Sequence, residues 1–186
     1  MQPRKHVPVA TTNPYASPSS PSKSKSTRLH SLIDYSTSPT IIYDFVGPPS
    51  AMSYRRGQIS SRALAEPATS PPMQSMTLDS PYLPWKIQVI AGNGSFVSVL
   101  DIINAIYHCL RAGVGGPEFS KYLPARKDQD RATAAYRQRY RRYKDPRTYD
   151  EEKRRGLRRI DFLMGHSEFR GLSKTNSASK WFLNFG

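Results

Sequence analysis

Trp85-Lys86-Ile87-Gln88-Val89-Ile90 alternates bulky apolar with polar side chains, and this run constrains the fold more than any other. A period of two places one set of side chains on one face of an extended chain, so the segment is predicted to be a half-buried strand. Gly92-Asn93-Gly94 then supplies a turn tolerant of positive φ, and Phe96-Val97 reads as the start of a return strand. The period changes at Ser98, which can cap a helix with Asp101 three residues on, as in a capping box. Val99, Leu100, Ile103, Ile106, Tyr107 and Leu110 recur at helical spacing on one face, and Gly113 is the expected stop. A β-hairpin covered by a helix is therefore the expected core.

Shorter elements surround it. Ile41-Ile42-Tyr43-Asp44-Phe45 is β-branched and aromatic and reads as a strand ended by Gly47-Pro48-Pro49. Ser60–Ala65 is a short helical turn, Met76-Thr77-Leu78 a brief strand, and Trp181–Phe185 a closing strand. Gly113–Pro117 reads as a flexible connector. A second helix is predicted from about Asp128 to Lys144, ended by Pro146. Thr148 with Glu151 makes a capping box for a third, which closes near Gly156. Ile160–Met164 fits a strand or a helical turn. The fold class is α+β: a small, mostly antiparallel sheet, a β-hairpin-plus-helix core, and two to three helices.

Residues 1–28 are read apart from this domain, which is assigned to 29–186. They hold almost no large apolar side chains, so ordering them would cost more entropy than burial returns, and a disordered Ser/Pro-rich tail is expected. Ser17-Pro18 and Ser20-Pro21 beside Lys23, Lys25 and Arg28 allow either a solvated tail or a phosphorylation-tuned basic arm.

Charge is unevenly placed. The net charge is +14, with five Lys/Arg and no acid in residues 1–28, and fourteen Lys/Arg against six acids in 126–159. Such a balance bears on partners rather than on fold. The single cysteine, Cys109, cannot form an intramolecular disulfide. No run approaches the ~18 apolar residues of a membrane span, and the start has no signal-peptide core, so no membrane partner is expected and the location is read as cytoplasmic or nuclear.

No residue pattern asks for a cofactor or a metal. His6, His30, His108 and His166 have no ligand or triad spacing, and Asp44 and Asp161 are single carboxylates beside apolar residues, each suited to hydrogen-bonding a turn. The dominant surface feature is Tyr136-Arg137-Gln138-Arg139-Tyr140-Arg141-Arg142-Tyr143-Lys144. On a helix Tyr136, Tyr140 and Tyr143 stack in a stripe, with Arg137, Arg141 and Lys144 on one flank and Arg131, Arg139 and Arg142 on the other. Lys153, Arg154, Arg155, Arg158 and Arg159 add charge beyond it. Three readings follow. The tyrosines pack inward and the arginine stems cover the rim. Alternatively Arg137, Arg141, Arg142, Lys144, Arg154, Arg155, Arg158 and Arg159 form a protein-binding surface, Tyr and Arg being enriched at binding hot spots. In the third, the same residues and the tail track nucleic-acid phosphates. A non-enzymatic protein-interaction domain is the leading expectation, nucleic-acid binding the alternative, and an enzyme whose site is assembled only in space the third.

Several blocks also occur in a familiar order. Leu29-His30-Ser31-Leu32, Ile42-Tyr43-Asp44 and Pro48-Pro49 come first, then Ala68–Pro72 before Met76-Thr77-Leu78. Trp85–Val89 with Val97–Ile103 follows, and then Gly156–Leu163 with Phe169-Arg170-Gly171-Leu172. Together they resemble a domain of unknown function widespread in mushroom-forming fungi, with Tyr43 where a tryptophan or another aromatic is expected. The resemblance covers most of 29–186 and implies a single α+β domain. It carries no activity, cofactor or site residue.

Overall fold

A computed structural model describes residues 27–186 except 56 and 178. The basic Ser/Pro-rich stretch up to residue 26, with Ser17 and Ser20, lies outside the described residues. In chain order the elements are β1 (Arg28–Leu29), β2 (Ile41–Ile42), β3 (Ser53–Tyr54), α1 (Ser61–Leu64), β4 (Thr69–Ser70), β5 (Ser75–Ser80) and β6 (Leu83–Ile90). Then come α2 (Val99–Arg111), α3 (Gly116–Tyr122), α4 (Arg126–Arg141), α5 (Pro146–Arg154), a 3-10 turn (Arg159–Leu163), β7 (Phe169–Lys174) and β8 (Lys180–Phe185). The fold is α+β, as the alternation of periods implied.

The main sheet has the order β6-β5-β8-β7. β5 pairs antiparallel with β6, with Met76 opposite Val89 and Leu78 opposite Ile87, and parallel with β8, with Leu78 opposite Trp181. β8 pairs antiparallel with β7. Met76, Leu78, Ile87, Val89, Trp181 and Leu183 are buried, while their neighbours Lys86, Gln88 and Phe182 are exposed, so one face meets the core and the other meets water. α2 lies against β6 on the core side. Its Val99, Ile102, Ile103, Ile106 and Leu110 are buried, each worth ~1.5–3 kcal/mol of removed apolar surface. The face is rotated from the expected one: Ile102 is fully buried and Leu100 is 37% exposed.

The capping box of α2 forms as expected, Asp101 N–H donating to Ser98 Oγ at 3.1 Å and Ser98 N–H to Asp101 Oδ2 at 2.9 Å. The hairpin differs. β6 turns back through Pro81-Tyr82 onto β5, upstream, and Phe96-Val97 joins no strand. Asn93 Oδ1 accepts from Ser95 N–H at 2.8 Å and Phe96 N–H at 2.9 Å, which swings the chain off the sheet. Val97 then bonds to Ala68 and Met73 instead.

Two connections also differ. Gly113–Pro117 is no mere linker: α3 starts at Gly116 with Pro117 in its first turn, where the missing N–H has no helical partner to lose. α4 stops at Arg141, three residues before the expected end at Lys144, so Pro146 does not end it but opens α5, whose cap is Asp145, accepting from Thr148 N–H at 2.9 Å, rather than Thr148 itself. α5 closes at Gly156, with φ +70°, and 160–164 resolves as a 3-10 turn.

Candidate functional site

α4 is mostly polar, so its attachment to the fold poses a problem that hydrophobic burial alone does not solve. Ala132 and Tyr140 are its buried apolar residues. Tyr136 and Tyr140 meet edge to face at 5.0 Å, Tyr140 and Tyr149 of α5 do so at 5.2 Å, and Tyr136 Oη donates to Lys153 O at 2.6 Å. Tyr143 is half-buried. The stripe therefore joins α4 to α5.

Below it lies a buried ionic cluster. Arg139 is 2% exposed, and its Nε and Nη2 fork onto the Asp161 carboxylate at 2.9 and 3.0 Å. Its Nη1 donates to Glu152 Oε2 at 2.8 Å and its Nη2 also to Gly156 O at 2.9 Å. Glu152, itself 4% exposed, accepts on Oε1 from Arg111 Nη2 and Arg158 Nη2, both at 3.0 Å. Asp161 Oδ2 accepts from the Arg158 N–H at 2.8 Å. One cluster thus ties the end of α2, the last turn of α4, α5 and the 3-10 turn. Burial pushes the Glu152 carboxyl up, but the charges of Arg111, Arg158 and Arg139 and the Arg158 hydrogen bond outweigh it and hold the group below its ordinary range. Burial lowers the Arg139 guanidinium, yet Asp161 and Glu152 more than restore it. Arg158 ends lowered, by burial and then by the neighbouring Arg111 charge.

A second anchor lies at the C-terminal end of α4. Arg142 Nη1 donates to Asp44 Oδ2 at 2.7 Å, while Asp44 Oδ1 accepts from Ser167 Oγ at 2.6 Å and Val46 N–H at 3.0 Å. Burial raises the Asp44 carboxyl, and the bonds from Ser167, Val46 and Arg142 bring it below its usual value.

The eight basic candidates thus separate. Arg158 is buried in the cluster, and Arg159 is half-buried with its guanidinium 4.6 Å from the Trp85 ring. Arg142 and Arg155 are exposed but paired, with Asp44 and Glu151 respectively. Arg137, Arg141, Lys144 and Arg154 are exposed, and no carboxylate among the described residues pairs with them. Arg137, Arg141 and Arg142 come together with Ala134 and Gln138 around an open depression of about 520 Å³.

A separate groove of about 410 Å³ lies at the start of β6, between Pro81–Pro84, Tyr122 and the end of the 3-10 turn. Met164 in its wall has φ 52°, a left-handed conformation uncommon for a side chain of this size. Tyr82 and His166 face each other there, 21° from parallel with centroids 6.4 Å apart. Asp128 and Arg131 of α4 form its polar rim, 3.8 Å apart. Among the described residues no group of His, Cys, Asp and Glu is placed to hold a metal ion, and no helix is long and apolar enough to cross a membrane.

A sequence model of a family of unknown function, DUF6699, matches residues 41–180. The chain belongs to that family. No curated protein and no solved structure matches it. The DUF6699 match runs from β2 to the first residue of β8, so it contains the whole ionic cluster, the α4 depression and the groove. This agrees with the resemblance to a domain family of unknown function read from the sequence blocks, over residues 41–180.

Sequence reasoning missed Arg139, Glu152 and Arg111 as interior groups. One signal was available: Arg139 is seven residues after Ala132 and three after Tyr136, on the stripe that packs inward.

Proposed function

We infer that this DUF6699 domain is a protein-interaction module that binds an acidic protein surface through the outer face of α4. The observation that carries this reading is the division of the arginines. Arg139 and Arg158 are spent inside the fold, while Arg137 and Arg141, one helical turn apart, stand unpaired beside Arg142 at an open depression. Arg side chains that are exposed, planar and unpaired suit carboxylate recognition. The tyrosines favour protein over unpaired nucleic-acid bases: Tyr136, Tyr140 and Tyr149 pack on one another, so their faces are committed to the helix pair.

The test is affinity capture from cell extract with the full chain and with Arg137→Glu/Arg141→Glu, thermal unfolding serving as the control for fold. We expect a reproducible partner that survives nuclease treatment and is lost with the double variant. Equal capture by both proteins, or capture abolished by nuclease, overturns the reading.

A further inference from the structure

A four-stranded sheet has two edges, and here they differ. The outer edge of β7 is occupied: Leu172 N–H donates to Ile33 O at 2.7 Å, Tyr35 N–H to Leu172 O at 2.9 Å, and Ser36 N–H to Arg170 O at 3.1 Å. The outer edge of β6 is not. Ala91 N–H donates to Gln74 O at 3.0 Å, which fixes the alternation of the β5–β6 ladder. Val89 and Ile87 then bond toward β5, and the backbone groups of Lys86, Gln88 and Ile90 point away from the sheet. None of them finds a partner among the described residues. The side chains of all three are exposed, Ile90 by 74%.

The groove begins where this edge begins. Leu83 and Pro84 belong to both, and Pro84, with no N–H to offer, fits an edge position. An unpaired edge beside a side-chain pocket is the combination by which extended peptides are recognised: the edge gives main-chain bonds and the pocket reads side chains.

We propose that the β6 edge and this groove form a binding site for an extended acidic segment of another protein. The segment adds a fifth strand beside Lys86–Ile90 and seats an apolar side chain in the groove against Tyr82 and Phe162. Charge selects the occupant. Residues 27–186 hold 24 Lys/Arg against 14 Asp/Glu and Lys86 stands on the edge itself, while at the groove rim Arg131 is balanced by Asp128, so the selecting charge is that of Lys86 and of the domain as a whole. Two copies of this chain pairing through β6 would bring like charges together, whereas an acidic segment is drawn in. Tyr82, half exposed, and Phe162 below it supply the apolar seat.

The experiment selects a displayed library of random twelve-residue peptides on the full chain, then titrates the enriched peptides as synthetic compounds. Enriched sequences are expected to be acidic with alternating apolar residues. Gln88→Pro removes one outward N–H at a position where an edge tolerates proline, and Lys86→Glu reverses the edge charge. Each is expected to weaken binding about tenfold with the unfolding midpoint little changed. Arg137→Glu/Arg141→Glu is expected to leave this binding within about twofold, which separates the site from the α4 face. In the wild type, peptide binding slows amide exchange at Lys86, Gln88 and Ile90, a readout that holds even if Gln88→Pro fails to fold. No enrichment, equal affinity for a folded Gln88→Pro, unchanged exchange at those amides, or a dimer that Gln88→Pro dissociates would each overturn the proposal.

Discussion

α2 and α4 cover the same fold by opposite means. α2 presents five aliphatic side chains to the sheet, and its polar groups stay at its ends and on its outer side. α4 offers little apolar surface and is held by Arg139, by stacked tyrosines, and by Arg142 on Asp44. The first attachment is non-directional and proportional to area. The second depends on geometry: three guanidiniums share two carboxylates, so each partner is needed to offset the desolvation of the rest. α4 and α5 can therefore carry many exposed cations, because their anchoring does not require a broad apolar stripe.

The largest effect is expected at Glu152. Glu152→Ala leaves Arg111, Arg139 and Arg158 short of a counter-charge in the interior and is expected to cost ~3–5 kcal/mol in urea unfolding. A loss under ~1 kcal/mol would mean that water or rearrangement replaces the carboxylate, and the contrast with α2 would fail. The same residue sets an acid dependence. Its carboxyl is held below the ordinary range in the folded state, so its contribution is complete above the unfolded value of about 4.3 and is lost as pH falls through the folded value. Glu152→Gln cannot titrate there, so the stability gap between it and wild type is expected to narrow on acidification below about pH 4. Asp44, also lowered, adds to the acid sensitivity of wild type and variant alike. A constant gap down to pH ~2 would contradict the assignment.

Conservative changes give the next contrast. Arg139→Lys keeps the charge but loses the fork onto Asp161 and cannot reach Glu152 and Gly156 O in the same way. It is expected to cost ~1.5–3 kcal/mol. Ile106→Val on α2 removes one methylene from an apolar contact and is expected to cost ~0.5–1.5 kcal/mol. Equal losses would show that α4 is held as loosely as an aliphatic face.

This contrast also explains what could be read from the chain alone. Trp85–Ile90 and Val99–Leu110 announce themselves because burial imposes a period, and both elements form where the period lies. Partner choice is less visible. Either neighbouring segment could pair with β6; Met76–Leu78 does, while Asn93's side-chain bonds and the backbone bonds of Val97 to Ala68 and Met73 accompany the turn of the downstream segment away from the sheet. β7 went unread because Gly171, with φ +96°, interrupts its pattern; a Cβ there would lie 2.6 Å from Asp34 O, so the strand gives up a side chain to let 33–36 approach. The cluster was hidden for a deeper reason. Arg139, Glu152 and Arg158 are of types that usually face water, and the bonds of Arg139 to Asp161 and Glu152 and of Arg111 to Glu152 join residues more than ten apart in sequence; only Arg158 bonds locally, to Glu152 and Asp161. The candidate cations were legible as a group, but the division into interior, paired and unpaired members needed the fold.

The smallest effect tests whether that division matters energetically. Arg155 and Glu151 form an exposed i,i+4 pair on α5, one residue away from Glu152. Solvent screens it and two long side chains lose freedom to make it, so Glu151→Ala is expected to cost only ~0.3–0.5 kcal/mol, and less in high salt. The neighbouring carboxylates would then differ about tenfold in their worth to the fold, though they occupy adjacent positions and look alike in sequence. If Glu151→Ala instead cost as much as Glu152→Ala, Arg155, which also lies 3.8 Å from Glu152, would have to be counted as part of the interior cluster. The boundary between the arginines that build the fold and those left for a partner would then move outward by one residue.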